Sequence, residues 1–103
     1  MVAQVLLDKL PEVIQTLKTH RVTKAYAFGS VCTNQFNSKS DIDLLIDFEE
    51  GLDPLEQGEH WWNLLENLED IFLGRKIDLI SEKSLRNPYF IEELLEKRQL
   101  IYG

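Results

Sequence analysis

Basic residues are scarce in this chain: eleven Lys and Arg stand against eighteen Asp and Glu, for a formal net charge of −7. Such a surface repels a polyanion, so extended nucleic-acid binding of the usual basic kind is not expected. A phosphate-handling site would have to draw its positive charge largely from bound metal ions. Cysteine is nearly absent. Cys32 alone excludes an internal disulfide and a Cys-rich zinc centre. No apolar run approaches the roughly 18 residues of a membrane span, and MVAQVLLDKLPEV has no basic leader region, so a cytoplasmic protein with no membrane partner is expected. Repeats, low-complexity tracts and an internal linker are also missing. A chain of 103 residues then reads as one domain over residues 1–103, with one core and no second lobe.

The apolar residues that are present, 44% of the chain, fall into short periodic segments. Val13, Ile14 and Leu17 predict a helix from about Pro11 to Thr19, with Pro at its start and a short turn before it. Thr23 to Phe28 reads as a strand that ends at Gly29-Ser30, and the polar stretch Val31 to Ser40 as loop or a short helical turn. Ile42 to Phe48 is the strongest strand signal, apolar on both faces beyond its acidic head. Trp61, Leu64, Leu65, Leu68, Ile71 and Phe72 form one helical stripe over His60 to Leu73, closed by Gly74. Lys76 to Ser81 is a third strand, and Asn87-Pro88 opens a last helix to about Lys97. Strands and helices in this order predict an α/β (α+β) domain, a small mixed sheet flanked by helices.

Three carboxylates sit on strands. Asp41 and Asp43, two apart at the head of one strand, point to the same face. Side by side they repel, each raising the other's pKa, unless a cation lies between them. Hard oxygen ligands suit Mg²⁺, which keeps several waters and takes substrate phosphates as further ligands. Asp78, on another strand, completes a set able to hold two divalent ions for phosphoryl or nucleotidyl transfer. Upstream, Gly29 lets a phosphate approach the backbone, and the Ser30 hydroxyl can donate to it. This is not a Walker loop, since no lysine follows the glycine in the required pattern.

Gly29-Ser30, ten residues, then Asp41-Ile42-Asp43 gives G-S-x10-D-x-D, followed by the strand Leu44-Leu45-Ile46-Asp47-Phe48. At residue frequencies of roughly 6–7%, these four positions coincide by chance in about one chain in a thousand of this length. The pattern resembles the minimal nucleotidyltransferase (MNT) family of the polymerase-beta-type superfamily. Gly74-Arg75-Lys76-Ile77-Asp78-Leu79-Ile80 is similar to its third-carboxylate strand, and Asn87-Pro88 through Tyr102 to its C-terminal helix and tail. The resemblance implies a polymerase-beta-like fold, two Mg²⁺ ions, ATP or another nucleoside triphosphate as substrate, and transfer of the monophosphate with release of pyrophosphate. By position, Gly29 and Ser30 would hold the triphosphate, and Asp41, Asp43 and Asp78 would ligate metal, with Asp78 also acting as general base. It further implies a helical HEPN-type partner in a toxin–antitoxin pair, with a partner tyrosine as AMP acceptor. The chain departs from the family where G-S-R-x-R-G is common. Here Val31-Cys32-Thr33-Asn34 follows, leaving Lys39, Arg75 or Lys76 as weaker cationic substitutes.

Plainer readings stand beside these. A single Asp41 is a turn cap as readily as a ligand. Asp47 shares the face of Asp43 but reads as an exposed edge charge. His20 and His60 are isolated in sequence and read as surface or packing residues, and Cys32 as a small buried filler. Trp61 belongs to the core stripe, and Trp62, about 100° round the helix, covers the core edge in preference to a partner. The charges Glu92, Glu93, Glu96, Lys97 and Arg98 read as a solvated helix face. Against the enzyme stands a non-catalytic binding module that neutralises a partner by complex formation. Modification of a small-molecule hydroxyl ranks lower, because no acceptor-binding domain is present.

Overall fold

The computed structural model describes residues 2–103. Two short helices open it, α1 (Gln4–Asp8) and α2 (Leu10–Thr19), with Pro11 in the first turn of α2. Strand β1 (Val22–Phe28) runs into a 3-10 turn over Gly29–Cys32. After a loop come β2 (Ile42–Phe48), α3 (Pro54–Ile71) and β3 (Ile77–Ser81). A second 3-10 turn over Glu82–Ser84 leads to α4 (Pro88–Lys97) and β4 (Gln99–Tyr102). The sheet order is β3-β2-β1-β4. β2 pairs parallel with β3 through the α3 crossover, and β1 is antiparallel to both β2 and β4. The result is the mixed sheet flanked by helices that the sequence predicts.

Alternation along β2 divides the core in two. Ile42, Leu44, Ile46 and Phe48 pack with Leu6, Val13, Leu17, Leu64 and Leu68 of α1, α2 and α3. Leu45, from the other face, joins Phe28 and Leu94 of α4 in a smaller cluster. A fully buried Leu or Ile contributes about 1.5–3 kcal/mol, so the first face is the main support of the fold. α4 covers only part of the second face.

Four expectations need correction. Helix α3 begins at Pro54 rather than near His60. The Asp53 carboxylate accepts from the Glu56 N–H at 2.9 Å, and Pro54 suits the first helical turn, so capping overrides the Gly58 that suggested a loop. The C-terminal tail is a fourth strand, β4, completing one edge of the sheet. Asp47 lies on an interior strand opposite Lys24, half-buried, rather than on an edge. Trp62 does not close over the core: it meets Trp61 edge to face at 5.0 Å and stays 62% exposed. Trp61 is half-buried, its Nε1–H donating to the Leu79 carbonyl of β3 at 3.1 Å.

Helix α3 stops where Gly74 predicts, through two left-handed residues, Leu73 (φ 57°) and Gly74 (φ 86°). The Gly74 N–H donates to the Glu69 carbonyl at 2.8 Å. None of the described helices is long and apolar enough to cross a membrane.

Candidate active site

The parallel register sets Asp43 opposite Asp78, with Ile42 opposite Ile77 and Leu44 opposite Leu79. Because Ile42, Leu44, Ile77 and Leu79 all face the main core, both aspartates point to the other face of the sheet. Asp41, two residues before Asp43, shares that face. Across the antiparallel pairing, Phe28 stands opposite Asp43, so Gly29 follows β1 directly beside the carboxylate. Gly29 takes a φ of +71°, and a Cβ there would collide with Asp43 Oδ2. The glycine therefore makes room for the carboxylate as well as turning the chain.

Hydrogen bonds fix the turn that follows. The Thr33 N–H and hydroxyl both donate to the Ser30 carbonyl, at 3.0 and 2.9 Å. The Ala3 N–H donates to the Val31 carbonyl at 2.7 Å, tying the N-terminal segment to the turn. Among the described residues the Ser30 hydroxyl has no hydrogen-bond partner, so it keeps a donor for a ligand.

The loop before Asp41 is held as firmly. The Asn37 N–H donates to Ser40 Oγ at 3.0 Å, and the Lys39 N–H to Asn37 Oδ1 at 2.9 Å. Arg75 Nη1 donates to the carbonyls of Asn37 and Ser40, at 3.1 and 2.8 Å, with its guanidinium 4.9 Å from the centre of the Phe36 ring. Arg75 is thus a strut of the loop. Lys76 lies 3.8 Å from Asp41, in a pair open to solvent. Lys39 stands on the same rim, beside Asp41 and Lys76.

Electrostatics mark Asp43. Burial first, then the charges of Asp78 and Asp41, push its carboxyl up to about 6, with Lys76 opposing weakly. A carboxylate crowded by two others and half-removed from water would be stabilised in its charged form by a nearby cation. Among the described residues no three His, Cys, Asp or Glu side chains close around a point by themselves. Asp41, Asp43 and Asp78 thus share a face without the convergence on one point that the sequence predicts. Oxygen donors of this kind suit Mg²⁺, which takes one or two carboxylates and completes its shell with water and substrate phosphates. The donor set is all oxygen, so the residues present fit the ion.

A cavity of about 480 Å³ opens beside the Gly29 turn, between it and α4. Phe28, Gly29, Cys32 and Thr33 form one wall, and Phe90, Glu93, Leu94 and Lys97 of α4 form the other. Phe28 and Phe90 meet edge to face, centroids 6.3 Å apart. Sequence reasoning missed the α4 wall, because its charges have the i,i+4 spacing of an ordinary solvated helix. Cys32 is only half-buried, and burial raises its thiol pKa, which disfavours the thiolate.

Away from the site, the two histidines that look isolated in sequence meet in space. His20 Nδ1 lies 3.3 Å from His60 Nδ1, and Asn67 Nδ2 lies 2.9 Å from His20 Nε2. His20 is 8% exposed, so this is a packing role between α2 and α3.

Residues 11–103 match the family described as Polymerase beta, Nucleotidyltransferase. A Methanocaldococcus jannaschii protein provisionally named a protein adenylyltransferase is 35% identical over 104 aligned positions, covering 93% of this chain and 99% of its own. A second from the same organism, with the same provisional name, is 36% identical over 83 positions, covering 81% and 78%. Among solved structures, a provisionally assigned minimal nucleotidyltransferase superposes with a TM-score of 0.68 at 30% identity, covering 95% of this chain and 94% of that one. A toxin–antitoxin structure with AMP-PNP gives a TM-score of 0.70 at 21% identity, covering 91% and 73%. A structure of a tri-AMPylated Shewanella oneidensis HEPN toxin in complex with MNT antitoxin gives 0.65 at 19% identity, covering 94% and 71%. At these last identities the likeness is one of fold.

Proposed function

The chain belongs to the polymerase beta nucleotidyltransferase family, and from that premise we propose that it transfers AMP from ATP to a hydroxyl group of a partner protein. The observation that carries this reading is the register of Asp43 with Asp78, with Asp41 on the same face and the Gly29 backbone against the Asp43 carboxylate. Asp41, Asp43 and Asp78 would hold two Mg²⁺ ions, which when bound supply positive charge to the attacking and leaving oxygens. The Gly29 backbone and the Ser30 hydroxyl hold triphosphate oxygens. Asp78, exposed at the strand end, takes the proton of the acceptor hydroxyl as its oxygen bonds to the α-phosphorus and pyrophosphate departs.

The acceptor is a tyrosine of a HEPN-type helical protein, and the chain acts as the antitoxin of that pair. The relatives' provisional names and the MNT–HEPN complexes of similar fold support this. Incubation of this protein with labelled ATP, Mg²⁺ and the product of the adjacent gene should label that product at tyrosine. Transfer to no protein, with any nucleotide, would refute the proposal.

One observation favours a second reading, neutralisation by binding alone. No cation follows Gly29-Ser30, and Arg75 is committed to the loop. Asp41→Asn with Asp43→Asn separates the two: loss of neutralisation indicates catalysis, and full neutralisation indicates binding alone.

A further inference from the structure

We propose that Lys97 supplies the cationic contact to the nucleotide's phosphates that the turn after Ser30 does not provide, an inference that rests on the nucleotidyl-transfer reading above. Lys97 reaches this position through the fold. α4 packs by Leu94 against Phe28 and Leu45, and that docking brings its last turn over the 3-10 turn. Lys97 then lines one cavity with Gly29, Cys32 and Thr33, and Gly29 is also the residue in contact with Asp43. A phosphate chain running from the carboxylates along the turn would therefore pass into the space that Lys97 faces.

The other basic residues near the site are placed less well. Arg75 is held by two loop carbonyls, and Lys76 and Lys39 line a different pocket with Asp41, with which Lys76 already pairs. Among the described residues Lys97 has a single partner, Glu93 at 3.3 Å, and both side chains are more than 60% exposed. An exposed i,i+4 pair of this kind is weak and readily exchanged for a phosphate, a denser anion. Glu93 lines the same cavity, where it competes for the ammonium and repels the incoming anion.

This predicts opposite effects from two neighbouring substitutions. With the full chain and MgATP, Lys97→Ala weakens nucleotide binding, as Kd and KM, by about tenfold with kcat little changed. Lys97→Arg stays within about threefold of wild type, and Glu93→Gln tightens binding by about threefold. A merely structural ion pair would make Lys97→Ala and Glu93→Gln act alike, because each breaks the same contact. Equal effects of the two, or no change in either, would overturn the role of Lys97 while leaving the reaction intact. Failure of the wild-type chain to bind MgATP or to transfer AMP would instead remove the underlying reading, and this inference with it. Circular dichroism melting of the variants, whose side chains are largely in solvent, checks that the fold is kept.

Discussion

The carboxylate of Asp43 occupies the volume in which a side chain on residue 29 would begin. Gly29 is required there twice over, by its φ of +71° and by the contact. Gly74 has a φ of +86° but open space around it, so it isolates the backbone effect. Gly29→Ala should cost roughly 1–3 kcal/mol of stability and abolish most AMP transfer, because the new methyl group displaces Asp43. Gly74→Ala should cost about 1 kcal/mol and leave transfer per folded molecule unchanged. Thermal melts with labelled-ATP transfer on both variants test this, and wild-type transfer by Gly29→Ala would show that Asp43 need not sit where it does.

Much of the candidate site could be read in the sequence because its geometry is local. Asp41 and Asp43 share a face by strand alternation, and Gly29-Ser30 follows its strand directly. The pairing of Asp43 with Asp78 was only half legible: the strands were visible, but their order and register come from the α3 crossover and from side chains meeting across β2 and β3. The α4 wall was illegible. Phe90 and Lys97 have helical spacing like any surface residue, and only the packing of Leu94 on Leu45 sets them beside the Gly29 turn. The tail Gln99–Tyr102 failed for a related reason, because four residues following Arg98 carry too little period to declare a strand. His20 and His60 lie forty positions apart, and nothing local announces their contact.

Asp43 gives the metal-free protein a pH dependence of defined sign. Its carboxyl is raised from the ordinary 3.8 to about 6 by burial, then by Asp78 and Asp41, so the folded state holds this proton more tightly than the unfolded chain. Stability from this group therefore falls as pH rises through that window and stays lower at neutral pH. In EDTA at pH 7.5, Asp43→Asn should be more stable than wild type by about 1–2 kcal/mol after screening by solvent. That corresponds to on the order of 5 °C in Tm. The gap should close below about pH 4. Wild-type protein melting at or above the variant under these conditions would contradict the charge crowding.

Arg75 should behave as a structural residue despite its place near the carboxylates. Its guanidinium serves two carbonyls and the Phe36 ring at once, a combination that a lysine ammonium cannot reproduce. Arg75→Lys, although it keeps the charge, is expected to cost about 1–2 kcal/mol and to speed amide exchange across residues 36–41. A variant with wild-type exchange in that loop would show that the charge alone suffices.

The buried histidine at the end of α2 predicts a slope opposite to that of Asp43. Burial first, and then the neighbouring His60, hold His20 below its ordinary value of 6.5. With Asn67 donating to Nε2, the ring must carry its proton on Nδ1 and donate it to His60 Nδ1, so a second proton on His20 breaks the chain at Asn67. The unfolded chain accepts that proton first. The neutral ring's contribution is thus fully present above pH 6.5 and is lost as pH falls through the lowered folded value. His20→Leu, of similar bulk and without a titrating group, should lose less stability than wild type between pH 7.5 and 5. Asp43 is unchanged in both proteins, so its contribution cancels in the difference. Denaturant unfolding at a series of pH values gives the two curves, and parallel curves would show that His20 takes up its proton without disturbing the packing of α2 on α3.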